Sequence, residues 1–308
     1  MRTAVSPFAL ALALALAIAA LGCTNEGGDE RLVGLGLEPI VLRDAAPKTL
    51  IEGIKAAENQ LFTSTGRLFI SGDEGIFELV RGPDGSLQKT ALHTGESCFF
   101  GGLTEQAGTI YANCYDFTNA AVFAAVLSEK PQFRSIHRLP GVGLLNGLTS
   151  DGAGSLFLAS SFDGRIIRLR VEPSNPLAIE SQDVFDAQSG FLTNGLKYFD
   201  EKLYWTAFTD VNVAVVKPNG SSGPKRNLGR ALTFFDDLYV DAAGLVVADY
   251  LNGSVVECDL TVRQCTTTPN ATFEGPSSVQ RANGRLGLPQ DALIVTERTG
   301  NRVSVLEP

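Results

Sequence analysis

Glu58, Asn146, Asn194 and Asp236 stand at matching places in a fragment that the sequence repeats, and together they make a set of hard oxygen donors. Two carboxylates and two amide carbonyls, with room for water, suit calcium, whereas zinc favours nitrogen and sulfur. His93 and His137 are the only histidines, which all but excludes a histidine-based metal centre. A second reading of Asn146-Gly147 and Asn194-Gly195 is that they are hairpin turns, since Asn-Gly is the commonest such signal. Each pair, however, precedes a strand that already has its own turn, at Asp151-Gly152 and at Asp200-Glu201, and Glu58 and Asp236 keep the same phase with no glycine after them. The shared metal site is the stronger reading, with independent turns and caps as the alternative.

The elements that must position these residues come from the repeat itself. Glu58, Gly101, Asn146, Asn194, Asp236 and Ser277 hold its first position, at intervals of 43, 45, 48, 42 and 41 residues. After each comes a short apolar strand, a turn and a second apolar strand. The second strands read Leu68-Phe69-Ile70, Ile110-Tyr111-Ala112, Leu156-Phe157-Leu158, Leu203-Tyr204-Trp205, Leu245-Val246-Val247 and Leu293-Ile294-Val295. Repeats of this length built from short strands predict an all-β fold, a six-bladed β-propeller, because no blade buries both faces of its sheet alone. The last unit ends with the chain, one strand short. Ile40 to Arg43, opened by Pro39, is the sequence's candidate for the missing outer strand, so that an N-terminal strand closes the last blade and no edge is left in the ring.

Glu58-Asn59, Asn146-Gly147-Leu148 with Asp151, Asn194-Gly195-Leu196 ahead of Leu203-Tyr204, and Asp236-Asp237-Leu238 with Asp241 and Gly244 resemble the SMP-30/gluconolactonase family over residues 50–306. That family consists of six-bladed calcium propellers related to paraoxonases and diisopropyl fluorophosphatase. The resemblance implies that Glu58, Asn146, Asn194 and Asp236 bind a catalytic calcium ion and that Asp236 is the base or nucleophile. Asp237 stands where many gluconolactonases have glycine. It is similar to the paired polar residues of paraoxonases, adds negative charge beside the ion, and joins Asp236 as a catalytic candidate. Gly101 occupies the place of the paraoxonase catalytic histidine, so the resemblance does not extend to that dyad.

An export signal precedes the repeats. Arg2 is followed by an unbroken apolar run from Phe8 to Leu21, short for a membrane span, and then by polar residues. Ala20-Leu21-Gly22-Cys23 resembles a bacterial lipoprotein processing site, although leucine is usual where Ala20 stands. The expected organisation is a signal peptide over 1–22, a flexible tether over 23–38 with Cys23 lipidated, and the propeller over 39–308; ordinary secretion is the alternative. Membrane attachment through this anchor places the protein in the bacterial cell envelope. The net charge of −9, with 25 Lys and Arg and no basic cluster, argues against nucleic acid as a partner. Cys98 with Cys114, and Cys258 with Cys265, flank short turns and suit two disulfides in an oxidising compartment; buried free thiols are the other possibility.

Loops on the ligand side carry Phe100, Tyr115, Phe162, Phe208, Phe235 and Tyr250 as candidate pocket walls, with Phe99, Phe191, Phe234 and Phe273 in the same segments. Packing between blades is the competing role for each of them. An apolar pocket with a polar floor is the usual form of a small-molecule site, and here it points to an apolar lactone or ester rather than a sugar acid. No phosphate loop, nucleophile elbow or zinc signature occurs. Two functions fit: a monomeric calcium-dependent hydrolase, or a non-catalytic propeller with structural calcium that binds a ligand or protein.

Overall fold

The computed structural model describes residues 46–231, 233–268 and 272–308. They form six four-stranded antiparallel sheets arranged as a six-bladed β-propeller. The innermost strands are Gln60–Phe62, Phe99–Gln106, Leu145–Ser150, Thr193–Phe199, Phe235–Asp241 and Pro276–Arg281, one for each of blades one to six. The only helical element among the described residues is a 3₁₀ turn at Arg285–Gly287.

The apolar triplets of the second strands explain the ring. Successive strand residues point to opposite faces, so a fully apolar triplet must be covered on both sides. In blade one, Leu68 and Ile70 pack toward blade six while Phe69 packs toward blade two. The same division holds for Leu156 and Leu158 against Phe157, and for Leu203 and Trp205 against Tyr204. Six hydrophobic clusters result, one at each blade interface.

Blade six is completed by an N-terminal strand, Lys48–Glu52, which pairs antiparallel with Arg302–Leu306 through Lys48↔Val305 and Glu52↔Arg302. The candidate from the sequence, Ile40 to Arg43, lies outside the described residues. Lys48–Glu52 takes the closing position because only residues 53–57 separate it from Glu58. There the chain passes directly into blade one, with Gly53 N and Ile54 N both donating to Asn301 O at 2.9 and 3.1 Å. Leu50 and Ile51 then pack on the cluster between blades six and one.

Both cysteine pairs are disulfides. Cys98–Cys114, with Cα atoms 5.7 Å apart, ties the start of the innermost strand of blade two to its second strand; Cys258–Cys265, at 4.0 Å, joins two paired outer strands of blade five. The loops closed span 16 and 7 residues. On loop-closure entropy, Cys98→Ala/Cys114→Ala should cost about 3 kcal/mol and Cys258→Ala/Cys265→Ala about 2 kcal/mol. Urea unfolding of each double variant measures this. An order reversed between the two pairs would show that strand pairing, not loop closure, sets their contribution.

Candidate functional site

The first-position residues of blades two to six sit on β-bulges of the innermost strands, whereas Glu58 lies just before the innermost strand of blade one. The pairing register shifts between Leu145 and Leu148, between Thr193 and Leu196, and between Phe235 and Leu238, leaving Asn146-Gly147, Asn194-Gly195 and Asp236-Asp237 as the bulged pairs. Bulges re-aim side chains and recur beside functional sites. The Asn-Gly pairs are therefore strand-interior bulges and not hairpin turns. Their glycines are required by close approach of the next blade. A Cβ on Gly147 would lie 2.6 Å from Leu196 N, and one on Gly195 would lie 2.5 Å from the Asp237 Cα.

Four of the first-position residues are held from the preceding blade by a polar residue directly after the apolar triplet. Ser71 Oγ donates to Gly101 O at 2.5 Å, Asn113 Nδ2 to Asn146 O at 2.6 Å, and Thr296 Oγ1 to Glu58 O at 3.0 Å. Thr206 Oγ1 donates to Asp236 O and accepts from Gly195 N at 2.9 Å. Blades three and five have Ala159 and Ala248 at this place. Gly101, which lacks a candidate ligand side chain, makes the space for Asn113, whose Oδ1 would stand 2.6 Å from any Cβ there.

Asp236 is fully buried, and Glu58, Asn146 and Asn194 are 3–5% exposed. Asn194 Nδ2 donates to Asp236 Oδ1 at 2.6 Å. Glu58 lies close enough for its charge to act on Asp236, whose carboxyl is pushed well up, first by burial and then by Glu58. Asn146 is on the neighbouring blade, but its amide makes no hydrogen bond to the other three. Glu58 is held by a residue that the spacing did not single out: Arg298 Nη1 donates to Glu58 Oε2, and Nη2 donates to Asp73 Oδ1 at 3.2 Å. Burial raises the Glu58 carboxyl and Arg298 opposes the rise. The signal that marks Arg298 is a cation in the turn after an apolar second strand, where blades four and five have Phe208 and Tyr250.

Donor chemistry and the state of the oxygens decide whether these residues suit a calcium ion. Asn194 Oδ1 and Asp236 Oδ2 are buried acceptors with no hydrogen-bond partner, and Asn113 Oδ1 is a third. An unmet buried acceptor costs about 1–3 kcal/mol, and a set made only of acceptors is met by a cation. Among the described residues no group of three or more His, Cys, Asp or Glu is arranged to hold a metal, so the amide oxygens of Asn146 and Asn194 are essential to any such site. The carboxylates of Glu58, Asp73 and Asp236 also outnumber the Arg298 guanidinium. The residues fit calcium, with Glu58 available once Arg298 releases it.

No protein-family model matches this chain, and no curated protein matches it in sequence. Solved structures do resemble it. The PQQ-bound aldose sugar dehydrogenase of Streptomyces coelicolor is 14% identical with a TM-score of 0.59, covering 84% of this chain and 96% of its own. A luciferin-regenerating enzyme is 13% identical with a TM-score of 0.57, covering 84% and 94%. Virginiamycin B lyase from Staphylococcus aureus is 12% identical with a TM-score of 0.55, covering 85% and 84%. At such identities the likeness is one of fold. These three proteins differ in their chemistry, so the residues of this chain must carry any functional argument.

Asp237 has a different setting from Asp236. Its Oδ2 accepts from Asn59 Nδ2 at 2.7 Å, its Oδ1 from Leu238 N at 2.8 Å, and its carboxyl is raised to about 6 by burial. It lines a narrow polar cavity with Asn59, Gln60, Lys197, Ser278 and Gln280, further along the innermost strands than Asp236. With both oxygens engaged, Asp237 braces the bulge by linking blade five to blade one.

The aromatic candidates divide. Phe100 and Phe235 are buried in the clusters between blades one and two and between blades four and five, and Phe273 in that between blades five and six. They serve as core. Tyr115 is buried yet feels the charges of Arg298, Glu58, Asp73 and Asp236, which places it beside the acidic group. It packs with Phe99 and Phe117 at ring distances of 5.7 and 5.4 Å. Phe191, Phe208, Phe234 and Tyr250 form a continuous row with centroids 5.8–5.9 Å apart. Phe162 and Phe191 are about half exposed.

Proposed function

We propose that this protein is a calcium-dependent hydrolase of the SMP-30/gluconolactonase kind, acting on a small apolar lactone or ester in the cell envelope. The observation that carries this reading is the pair of orphaned acceptors, Asn194 Oδ1 and Asp236 Oδ2, buried beside Glu58 in a group of oxygen donors. Glu58, Asn146, Asn194 and Asp236 would hold the ion. When bound, calcium supplies Lewis-acid polarisation of the substrate carbonyl and charge to balance the developing oxyanion.

The chain's own residues do the rest. Asn194 Nδ2 donates to Asp236 Oδ1 and so fixes the carboxylate, which would also help to hold the ion. Asp236 would take a proton from the water that adds to the carbonyl, or would itself add to the carbonyl carbon and expel the ester or lactone alkoxide, the resulting anhydride then being hydrolysed by water. Thr206 and Asn59 hold the bulge so that Asp236 cannot turn away. Phe191, Phe208 and Tyr250 offer apolar area for a substrate and exclude water, with Tyr115 and Phe234 packed behind them. Two disulfides agree with a compartment outside the cytoplasm, as a lipid-anchored envelope protein requires.

A non-catalytic propeller is favoured by one observation, that Arg298 already neutralises Glu58. A panel of lactones, aryl esters and phosphotriesters, assayed with calcium and after chelation, separates the two. The hydrolase reading expects turnover of an apolar lactone or ester that stops with chelator and returns with calcium. Free calcium at 100 times its Kd should also add about 2.7 kcal/mol to folding stability. Calcium binding with no turnover of any substrate in the panel would leave the binding module in its place.

A further inference from the structure

Arg298 lies in the turn after the second strand of blade six, Leu293–Glu297, and its side chain crosses to blade one. It is 7% exposed and is shared by two carboxylates. Glu58 is a first-position residue beside Asp236. Asp73 belongs to the turn after Leu68–Gly72 and has 11% of its side chain exposed, nearer the surface than Glu58 at 4%. A planar guanidinium suits such bridging, because its donors point to two acceptors at once.

We propose that Arg298 is the displaceable internal counter-ion of the calcium site. It neutralises Glu58 when no ion is bound, and it is kept by Asp73 when calcium takes Glu58. This rests on the calcium reading above and adds to it a control of affinity. Without a cation, Glu58 and Asp236 would be two buried and uncompensated carboxylates, which is costly. Arg298 removes much of that cost in the ion-free protein. Calcium affinity then becomes a difference between the ion's attraction to its ligands and the loss of the Glu58–Arg298 pair. The site is thereby weakened toward the range of extracellular calcium modules, with Kd of about 10⁻⁴–10⁻³ M, and fills only where calcium is abundant.

Calorimetric calcium titration of the full chain, of Arg298→Gln and of Arg298→Lys tests this. Arg298→Gln should bind calcium at least about tenfold more tightly, since nothing need be displaced from Glu58. Arg298→Lys should fall between, because an ammonium keeps the charge but loses the two-way fork. If Arg298→Lys matches wild type while Arg298→Gln tightens, the arginine acts only through its field and the displacement idea is overturned. Equal or weaker binding by Arg298→Gln overturns it as well, and leaves the calcium reading standing. Absence of calcium binding in all three proteins removes both. Should Arg298→Gln be unstable without the ion, thermal unfolding with and without calcium supplies the same comparison: its Tm must rise more than that of wild type.

Discussion

Asp236→Asn should abolish calcium-dependent hydrolysis, with kcat down by roughly 10²–10⁴ as expected for loss of a general base or nucleophile, while the propeller stays folded. An amide keeps an oxygen that can accept the hydrogen bond from Asn194 Nδ2, so the bulge loses no contact. The effect on stability has a definite sign. In the folded protein the Asp236 carboxyl is pushed above its ordinary range, by burial and by the nearby Glu58 charge. A carboxyl raised on folding penalises the native state as pH climbs above its unfolded value, because the charged form is disfavoured inside. At neutral pH and with calcium chelated, Asp236→Asn should therefore have a Tm no lower than wild type. Activity assays and thermal unfolding on the same preparation measure both outcomes. Retained turnover would take Asp236 out of the reaction, and a collapsed Tm would show that its charge is structural.

Glu297→Ala should be the most destabilising single change outside the apolar core, by about 3–5 kcal/mol, the usual result of breaking a buried ion pair. The Glu297 side chain is fully buried, and its oxygens accept from Arg302 Nε and Nη2 at 2.8 Å each, from Glu274 N at 2.6 Å and from Ser304 Oγ. Four donors lose their acceptor at once. These contacts lock the second strand of blade six to the strand that receives Lys48–Glu52, and so to the closure of the ring. For a domain of this size the loss corresponds to a fall in Tm of roughly 6–20 °C. Burial alone would raise the Glu297 carboxyl, but Arg302, Glu274 N and Ser304 outweigh it and the net direction is down. The stability from a lowered carboxyl is complete above its unfolded value of 4.5 and is lost as pH falls through the folded one. Wild type should weaken below about pH 4.5 more steeply than Glu297→Gln, which cannot titrate. A Tm for Glu297→Ala within 2 °C of wild type would mean that strand pairing alone closes the ring, since even about 1 kcal/mol moves Tm that far.

Six blades, their phase, both disulfides and the core residues of the second strands were determined by the sequence itself. A triplet such as Leu68-Phe69-Ile70 must be covered on both faces, whatever the rest of the chain does, and the spacing of the triplets then dictates a ring. Cys258 and Cys265 flank a single turn and meet as direct partners on paired strands, and Cys98 reaches Cys114 from just before the strand that pairs with it. Tertiary structure alone decided which N-terminal strand closes blade six. Lys48–Glu52 takes that place by pairing with Arg302–Leu306, with a short path from Glu52 to Glu58. It also decided that Asn146-Gly147 and Asn194-Gly195 are bulges, because the need for glycine comes from the neighbouring blade's backbone. The site was divided in the same way. The phase of Glu58, Asn194 and Asp236 was visible along the chain. Arg298 on Glu58 and Asn59 on Asp237 were not, since they join residues 240 and 178 positions apart through side chains reaching across the ring. Strand periodicity constrains which face a residue takes, but not how far a long side chain from a turn extends over the axis or which of several buried charges it meets. That choice follows from the closed ring, where low polarity obliges each charge to find a partner among the few within reach.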